Sequence, residues 1–173
     1  MNISLKRELI LLYKIENVIV EELKRNVDDR GDLWEVFRSD NPNYLKFGQV
    51  YVVRSWEPGT IRAFHKHDVM WDYFHILKGA AKFIFAEDGA FIMDMLGPYT
   101  DFEKMKTIIA SEEKPTLIHV PPNIWHGWMS LRPDTVLLSI ASEPYMGENR
   151  EQEADEERIP YNSFGVDWKV QYK

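Results

Sequence analysis

Short apolar or β-branched runs, each closed by a turn signal, recur along most of this chain, and no long stretch carries the 3.6-residue period of an amphipathic helix. The spacing predicts strands over 33–37, 48–54, 61–66, 73–77, 81–86, 91–93, 106–109, 116–120, 128–131 and 135–141. Between them stand Asp29-Arg30-Gly31, Pro58-Gly59, Lys78-Gly79, Asp88-Gly89, Gly97-Pro98, Pro121-Pro122-Asn123 and Arg132-Pro133-Asp134. Strands at this density predict an all-β fold, closed as a barrel or jelly roll, rather than a parallel sheet. Helix is expected only as a turn or two near 101–105 and in the acidic stretch 148–157, which reads as a solvated surface element. At 173 residues the chain suits a single domain, with N-terminal strands over 8–38, a barrel core over 48–142 and a tail over 143–173.

Charge and composition remove several functions. The 21 basic and 28 acidic residues give −7 at pH 7, which repels a nucleic-acid backbone, so no nucleic-acid partner is expected. Without cysteine there is no disulfide, no thiolate-bound zinc or iron–sulfur cluster, and no thiol nucleophile. No apolar run reaches the roughly 18 residues that a membrane span needs, so no membrane partner is expected. Lys6, Arg7, Glu8, Lys14 and Glu16 interrupt any signal-peptide core, and a cytoplasmic protein is the expectation.

The five histidines are placed in a pattern. His65 and His67 stand two apart on a predicted strand, which points both to one face. Five residues separate Gly59 from His65, four separate His67 from Asp72, and six separate Asp72 from Gly79. Downstream, Pro121-Pro122-Asn123-Ile124-Trp125-His126 sets a turn before another histidine. These imidazoles and the Asp72 carboxylate form a donor set suited to a divalent ion such as Zn, Mn, Fe, Ni or Co. His75 falls out of phase with Asp72 and is expected on the other side of its strand, facing the surface or a partner. His119, between Ile118 and Val120, reads as structural.

The spacing resembles the two cupin motifs, with Asp72 in place of the first motif's glutamate and Asn123 in place of the second motif's glycine. Asparagine is the commonest substitute where the backbone needs a positive φ. The resemblance implies a cupin double-stranded β-helix. A second resemblance spans more of the chain. Asp28-Asp29-Arg30-Gly31 with Glu35 and Phe37, then 59–65, then 118–128, then 159–168, are similar in order to blocks of the dTDP-4-dehydrorhamnose 3,5-epimerases, themselves cupin-like.

That family resemblance implies proton abstraction next to the 4-keto group of a nucleotide-linked deoxyhexose, with no cofactor required. It implies His65 as the base, Arg30 and Arg62 on the substrate's charged parts, and Tyr145 near the substrate. Glu35, His126 and Trp128 join the substrate side. Two helpers of the family depart here. Asp72 stands where a lysine is expected, and Leu138 or Ser139 stands where a tyrosine acid is expected. The aspartate that orients the base there belongs beyond Trp168. A divalent ion on His65, His67, Asp72 and His126 would restore the lost positive charge and make His65 a ligand. The base would then be Glu35, His75 or a metal-bound hydroxide.

Three readings stay open: an epimerase or isomerase on a nucleotide-linked keto-deoxysugar, a divalent-metal cupin enzyme (oxygenase or isomerase) on another small molecule, and a sugar-binding cupin without turnover. His65 and Asp72 are the candidate catalytic residues, and in the second reading His65, His67, Asp72 and His126 are the metal ligands. Arg62 alternates with His65 on strict strand parity, so it reaches the same face only if a bulge intervenes. The apolar segment 8–20 predicts a homodimer with N-terminal strand exchange.

Overall fold

The structure, a computed structural model, describes residues 14–94, 97–146 and 155–170. Its strands run in chain order as β1 (Ile19–Glu22), β2 (Asn26–Asp28), β3 (Gly31–Leu33), β4 (Gln49–Ser55), β5 (Ile61–Lys66), β6 (Asp72–Lys78) and β7 (Ala80–Glu87). There follow β8 (Phe91–Asp94), β9 (Gly97–Thr100), β10 (Met105–Ser111), β11 (Thr116–Val120), β12 (Ile124–Ser130), β13 (Thr135–Ala141) and β14 (Glu157–Arg158). Among the described residues the only helical pieces are 3₁₀ turns at Ile15–Asn17 and Phe102–Lys104, the second capped by the Asp101 side chain. The expected helix over 148–157 falls mostly outside the described residues.

Two five-stranded antiparallel sheets face each other, in the orders β1-β11-β6-β13-β4 and β10-β7-β12-β5-β14. This is the predicted jelly roll. Strand alternation explains its three layers of packing. Phe74 and Ile76 of β6, Phe83 and Phe85 of β7, Ile118 and Val120 of β11, Trp128 of β12 and Leu137 of β13 point inward and make the barrel core. The opposite faces are also covered. Phe64, Ile84, Trp125 and Met129 turn outward and pack under Phe164 and Trp168 of the tail. Tyr73, Leu117 and Ile140 turn outward on the other sheet, under Leu23, Val36 and Phe37 of the N-terminal segment.

The tail is fastened by buried charge. Lys82, outward on β7, donates its ammonium to the carbonyls of Trp168 at 3.2 Å and Lys169 at 2.6 Å. Lys66 is buried against the Trp125 ring, its ammonium 3.2 Å from Asp88 and 3.6 Å from Glu157. The carbonyls and carboxylates offset the desolvation of the two ammonium groups.

Several expectations shift by local detail. The predicted strand over 33–37 ends at Leu33 as β3; the residues after it form loop and cover the outer face through Val36 and Phe37. β12 begins at Ile124, four residues before the predicted start at 128, because the chain leaves the Pro121-Pro122 turn directly into pairing with β7. Asn123 adopts φ 63°, the left-handed conformation expected of it, and its N–H donates to the His67 carbonyl at 2.7 Å.

Candidate functional site

The histidine pattern closes into a cluster. His65 on β5 and His126 on β12 are direct cross-strand partners, their ring centroids 4.0 Å apart. His67 follows the end of β5, and its ring lies 5.6 Å from that of His65 and 5.7 Å from that of His126. Asp72 opens β6 in the facing sheet and turns inward with Phe74 and Ile76. Ligand atoms of His65, His67, Asp72 and His126 all lie within 4.8 Å of one another. Asp72 is 1% exposed and His126 2%.

The hydrogen bonds fix which nitrogens face inward. A carbonyl oxygen only accepts, so His67 Nδ1–H donates to the Asp155 carbonyl and His126 Nδ1–H to the Ile124 carbonyl. Each ring then presents Nε2 to the cluster, and both Nε2 atoms stand 3.3 Å from Asp72 Oδ2. Asp72 Oδ1 and His126 Nε2 are buried without a hydrogen-bond partner among the described residues. Burial first, then the His126 and His67 imidazoles and the Arg158 guanidinium, hold His65 well below the usual imidazole range. It is therefore a neutral, proton-accepting imidazole at pH 7.

The cluster opens into a cleft of about 570 Å³ between the two sheets. Arg62, His65, Phe74, Trp128 and Leu137 line it, with Tyr51 and Val53 from β4 and Arg158 from the tail. Arg62 reaches it through a bulge. His126 pairs with His65, but Trp128 pairs with Arg62, so Ala63 and Phe64 together oppose Gly127. The extra residue restores Arg62 to the inward face. Gly127 makes this possible, since a Cβ there would stand 2.1 Å from the Ala63 Cβ.

Not every sequence-predicted residue joins. Tyr145 lines an adjoining pocket with His65, His67, Gln49 and Tyr51. Arg30 sits on the β2–β3 hairpin, ion-paired to Asp28 at 2.5 Å, with its side chain 85% exposed. Glu35 is paired with Arg38 at 2.7 Å. Neither lines the cleft. His75 faces out of the barrel as its phase required, yet it is buried rather than on the surface. The Trp34 indole donates to its Nε2 at 3.0 Å, and its Nδ1 donates to the Thr116 carbonyl at 2.8 Å. His119, also outward, bonds Glu21 at 2.9 Å. Glu35 and His75 therefore cannot serve this cleft as a base from the same chain.

The structure adds residues that sequence reading passed over. Tyr51 alternates inward with Gln49 and Val53, a signal present in the period of β4. Desolvation of its hydroxyl, then the Asp72 carboxylate, pushes it up to about 12, against the pull of the Ser139 hydroxyl. Glu156 and Arg158, ion-paired at 2.8 Å, come from the tail, where only the charge run was visible in sequence. Asp155 places them. Its carboxylate accepts from the N–H groups of Asp68 at 2.8 Å, Val69 at 3.0 Å and Met70 at 2.9 Å.

A family model described as dTDP-4-dehydrorhamnose 3,5-epimerase matches residues 13–172. Among curated proteins, the chain is 29% identical over 167 residues to the probable low-salt glycan biosynthesis epimerase Agl13 of Haloferax volcanii, covering 91% of this chain and 96% of that one. Among solved structures it resembles ChmJ, a 3'-monoepimerase from Streptomyces bikiniensis in complex with dTDP, with a TM-score of 0.72 and 19% identity over 91% of this chain and 77% of that one. It also resembles QdtA, a sugar 3,4-ketoisomerase from Thermoanaerobacterium thermosaccharolyticum in complex with TDP, with a TM-score of 0.63 and 20% identity over 87% and 93%. With a bulged strand aiming an arginine and a histidine into one jelly-roll cleft, and a family match over nearly its whole length, the chain belongs to the dTDP-4-dehydrorhamnose 3,5-epimerase family.

Proposed function

We propose that the protein is an epimerase or isomerase acting on a nucleotide-linked 4-keto-6-deoxysugar for glycan assembly. The observation that carries this is the neutral His65 imidazole on the wall of a cleft shared with Arg62 and Trp128. His65 takes the proton from the carbon beside the keto group, and the C–H electron pair moves to the keto oxygen as an enolate. Arg62 and Arg158 are the cations lining the cleft, suited to a diphosphate and to the developing negative charge. The Trp128 indole gives the sugar an apolar wall, and Tyr145 borders the outer pocket. His126 and Asp72 sit behind His65 and set its surroundings. Arg30 and Glu35 stand outside this cleft, and a second copy of the chain in a homodimer would be needed to bring them to one.

The deciding experiment incubates the protein with a dTDP-4-keto-6-deoxyhexose in D2O and follows the sugar by NMR. Deuterium is expected at a carbon adjacent to the carbonyl, and His65→Asn should slow its entry at least 100-fold. No exchange by the unaltered protein would overturn the reading.

The orphaned Asp72 Oδ1 and His126 Nε2 favour a second reading. The Nε2 atoms of His67 and His126 each stand 3.3 Å from Asp72 Oδ2, and with His65 this donor set fits a divalent cation held by His65, His67, Asp72 and His126. When bound, such an ion would supply Lewis-acid polarisation of a substrate carbonyl. In that case His65 is spent as a ligand. Metal analysis of protein purified without a nickel column tests it; no bound metal, and no uptake at neutral pH, would sink it.

A further inference from the structure

We propose that Tyr51 is the proton donor that completes an inversion at carbon, which narrows the reading above, on which this rests, from epimerase or isomerase to epimerase. Inversion removes a proton from one face of a sugar ring and returns one to the other. A single imidazole reaches one face only. The cleft must therefore hold a second proton carrier on the wall opposite His65.

Few of the lining groups qualify. Guanidinium groups such as Arg62 and Arg158 do not give up a proton in proteins, and neither does the Trp128 indole. Glu156 is held in its ion pair with Arg158. The phenols remain. Tyr145 borders only the outer pocket, whereas Tyr51 borders both that pocket and the main cleft, in each case together with His65.

The strands set Tyr51 across from the base. His65 belongs to β5 in one sheet, and Tyr51 belongs to β4 in the other. Tyr51 pairs with Ser139, and Ser139 pairs with Phe74, so the three residues form one row across the sheet. That row leads to the imidazoles, because the Phe74 ring lies 5.6 Å from His126. Ser139, the cross-strand partner of Tyr51, is fully buried.

At neutral pH a phenol carries its proton. In the step, the enolate's carbon–carbon electron pair forms a new C–H bond while the Tyr51 O–H bond breaks. The phenolate is reprotonated from water, and His65 releases its proton to water, so the cycle closes with no net proton change and no oxidant.

Tyr51→Phe tests this in D2O. Exchange of the α-hydrogen with retained configuration should persist within tenfold of the unaltered protein, while the inverted product falls at least 100-fold. A merely structural role would reduce exchange and inversion together. Inversion within threefold of the unaltered protein, or parallel loss of both activities, would overturn the assignment. So would a product in which the keto group has moved instead of a carbon inverting, although the broader reading would survive that result. Absence of exchange in the unaltered protein would overturn the underlying reading and this inference with it. If Tyr51→Phe folds poorly, 3-fluorotyrosine at position 51 gives the answer independently: its more acidic phenol should shift the basic limb of the inversion rate to lower pH, and an unmoved limb would overturn the assignment.

Discussion

At the scale of single residues, the site depends on atoms that carry no catalytic chemistry. Gly127 is the sharpest case. The bulge that turns Arg62 inward presses Ala63 against it, and no Cβ fits in that space. Gly127→Ala should therefore cost about 1–3 kcal/mol through overpacking, read as a lower urea midpoint. It should also raise KM by shifting Arg62 more than it lowers kcat. A variant with unchanged midpoint and KM would mean that the bulge relaxes without moving Arg62. Asn123 acts similarly from the next turn, holding the left-handed backbone and the His67 carbonyl that lead the chain into His126.

Among the elements, the C-terminal tail joins the outer face of one sheet to the mouth of the cleft. Its outer residues Phe164 and Trp168 cover Phe64, with ring centroids 4.9 and 5.5 Å away. Its inner residues Glu156 and Arg158 reach the cleft mouth. Asp155 joins the two roles by bonding three successive N–H groups after His67, while its carbonyl sets the His67 ring. Asp155→Ala leaves those donors without their carboxylate and should cost about 1–3 kcal/mol. It should free the tail to proteolysis and weaken nucleotide-sugar binding through Arg158. Equal protease resistance in the variant and the unaltered protein would show that the Lys82 and aromatic contacts hold the tail unaided. Sequence reading missed this element for a physical reason. A run of acidic residues looks solvated unless its partners are known, and the partners here lie some 85 or more residues away in the chain. The strands were far more legible. β5, β11 and β13 match their predicted limits because a short apolar or β-branched run closed by turn residues is a local signal. β1, β2, β9 and β14 are short pairings of polar or mixed segments, and their existence depends on which edge is free to receive them.

For the whole molecule, two expectations concern stability and assembly. Burial holds His75 and His119 below their ordinary 6.5, with the Thr116 carbonyl and Glu21 respectively pulling the other way. Both therefore bind protons more readily in the unfolded chain. The stability they allow is present in full above pH 6.5 and is lost as pH falls through and below it. Urea midpoints should drop between pH 7.5 and 5.5, and His75→Gln should flatten part of that slope; an unchanged slope would remove His75 from the account. Assembly follows from exposed apolar surface. Leu45 and Phe47 precede β4, whose outward Val50 and Val52 are 52% and 58% exposed on the free edge of their sheet. With Ile19 and Val20 also exposed on the other edge strand, we expect a homodimer. A monomeric mass by light scattering at micromolar concentration would refute it. The part of the expected exchange segment over 8–13 lies outside the described residues.

Periodicity and turn spacing alone determined the all-β barrel and put His65 and His67 on one face, because strand alternation and turns that need a positive φ are short-range rules; the approach of Asp72 and His126 to that pair was legible only through the resemblance to the cupin motifs. Tertiary structure alone decided the phase of Arg62, the entry of Tyr51 and Arg158 into the cleft, the burial of His75 and the distance of Arg30 and Glu35 from it. Those depend on a bulge, on sheet order and on which surfaces the two chain ends cover. Such features arise from packing between distant segments, for which no local pattern in the chain has a signature.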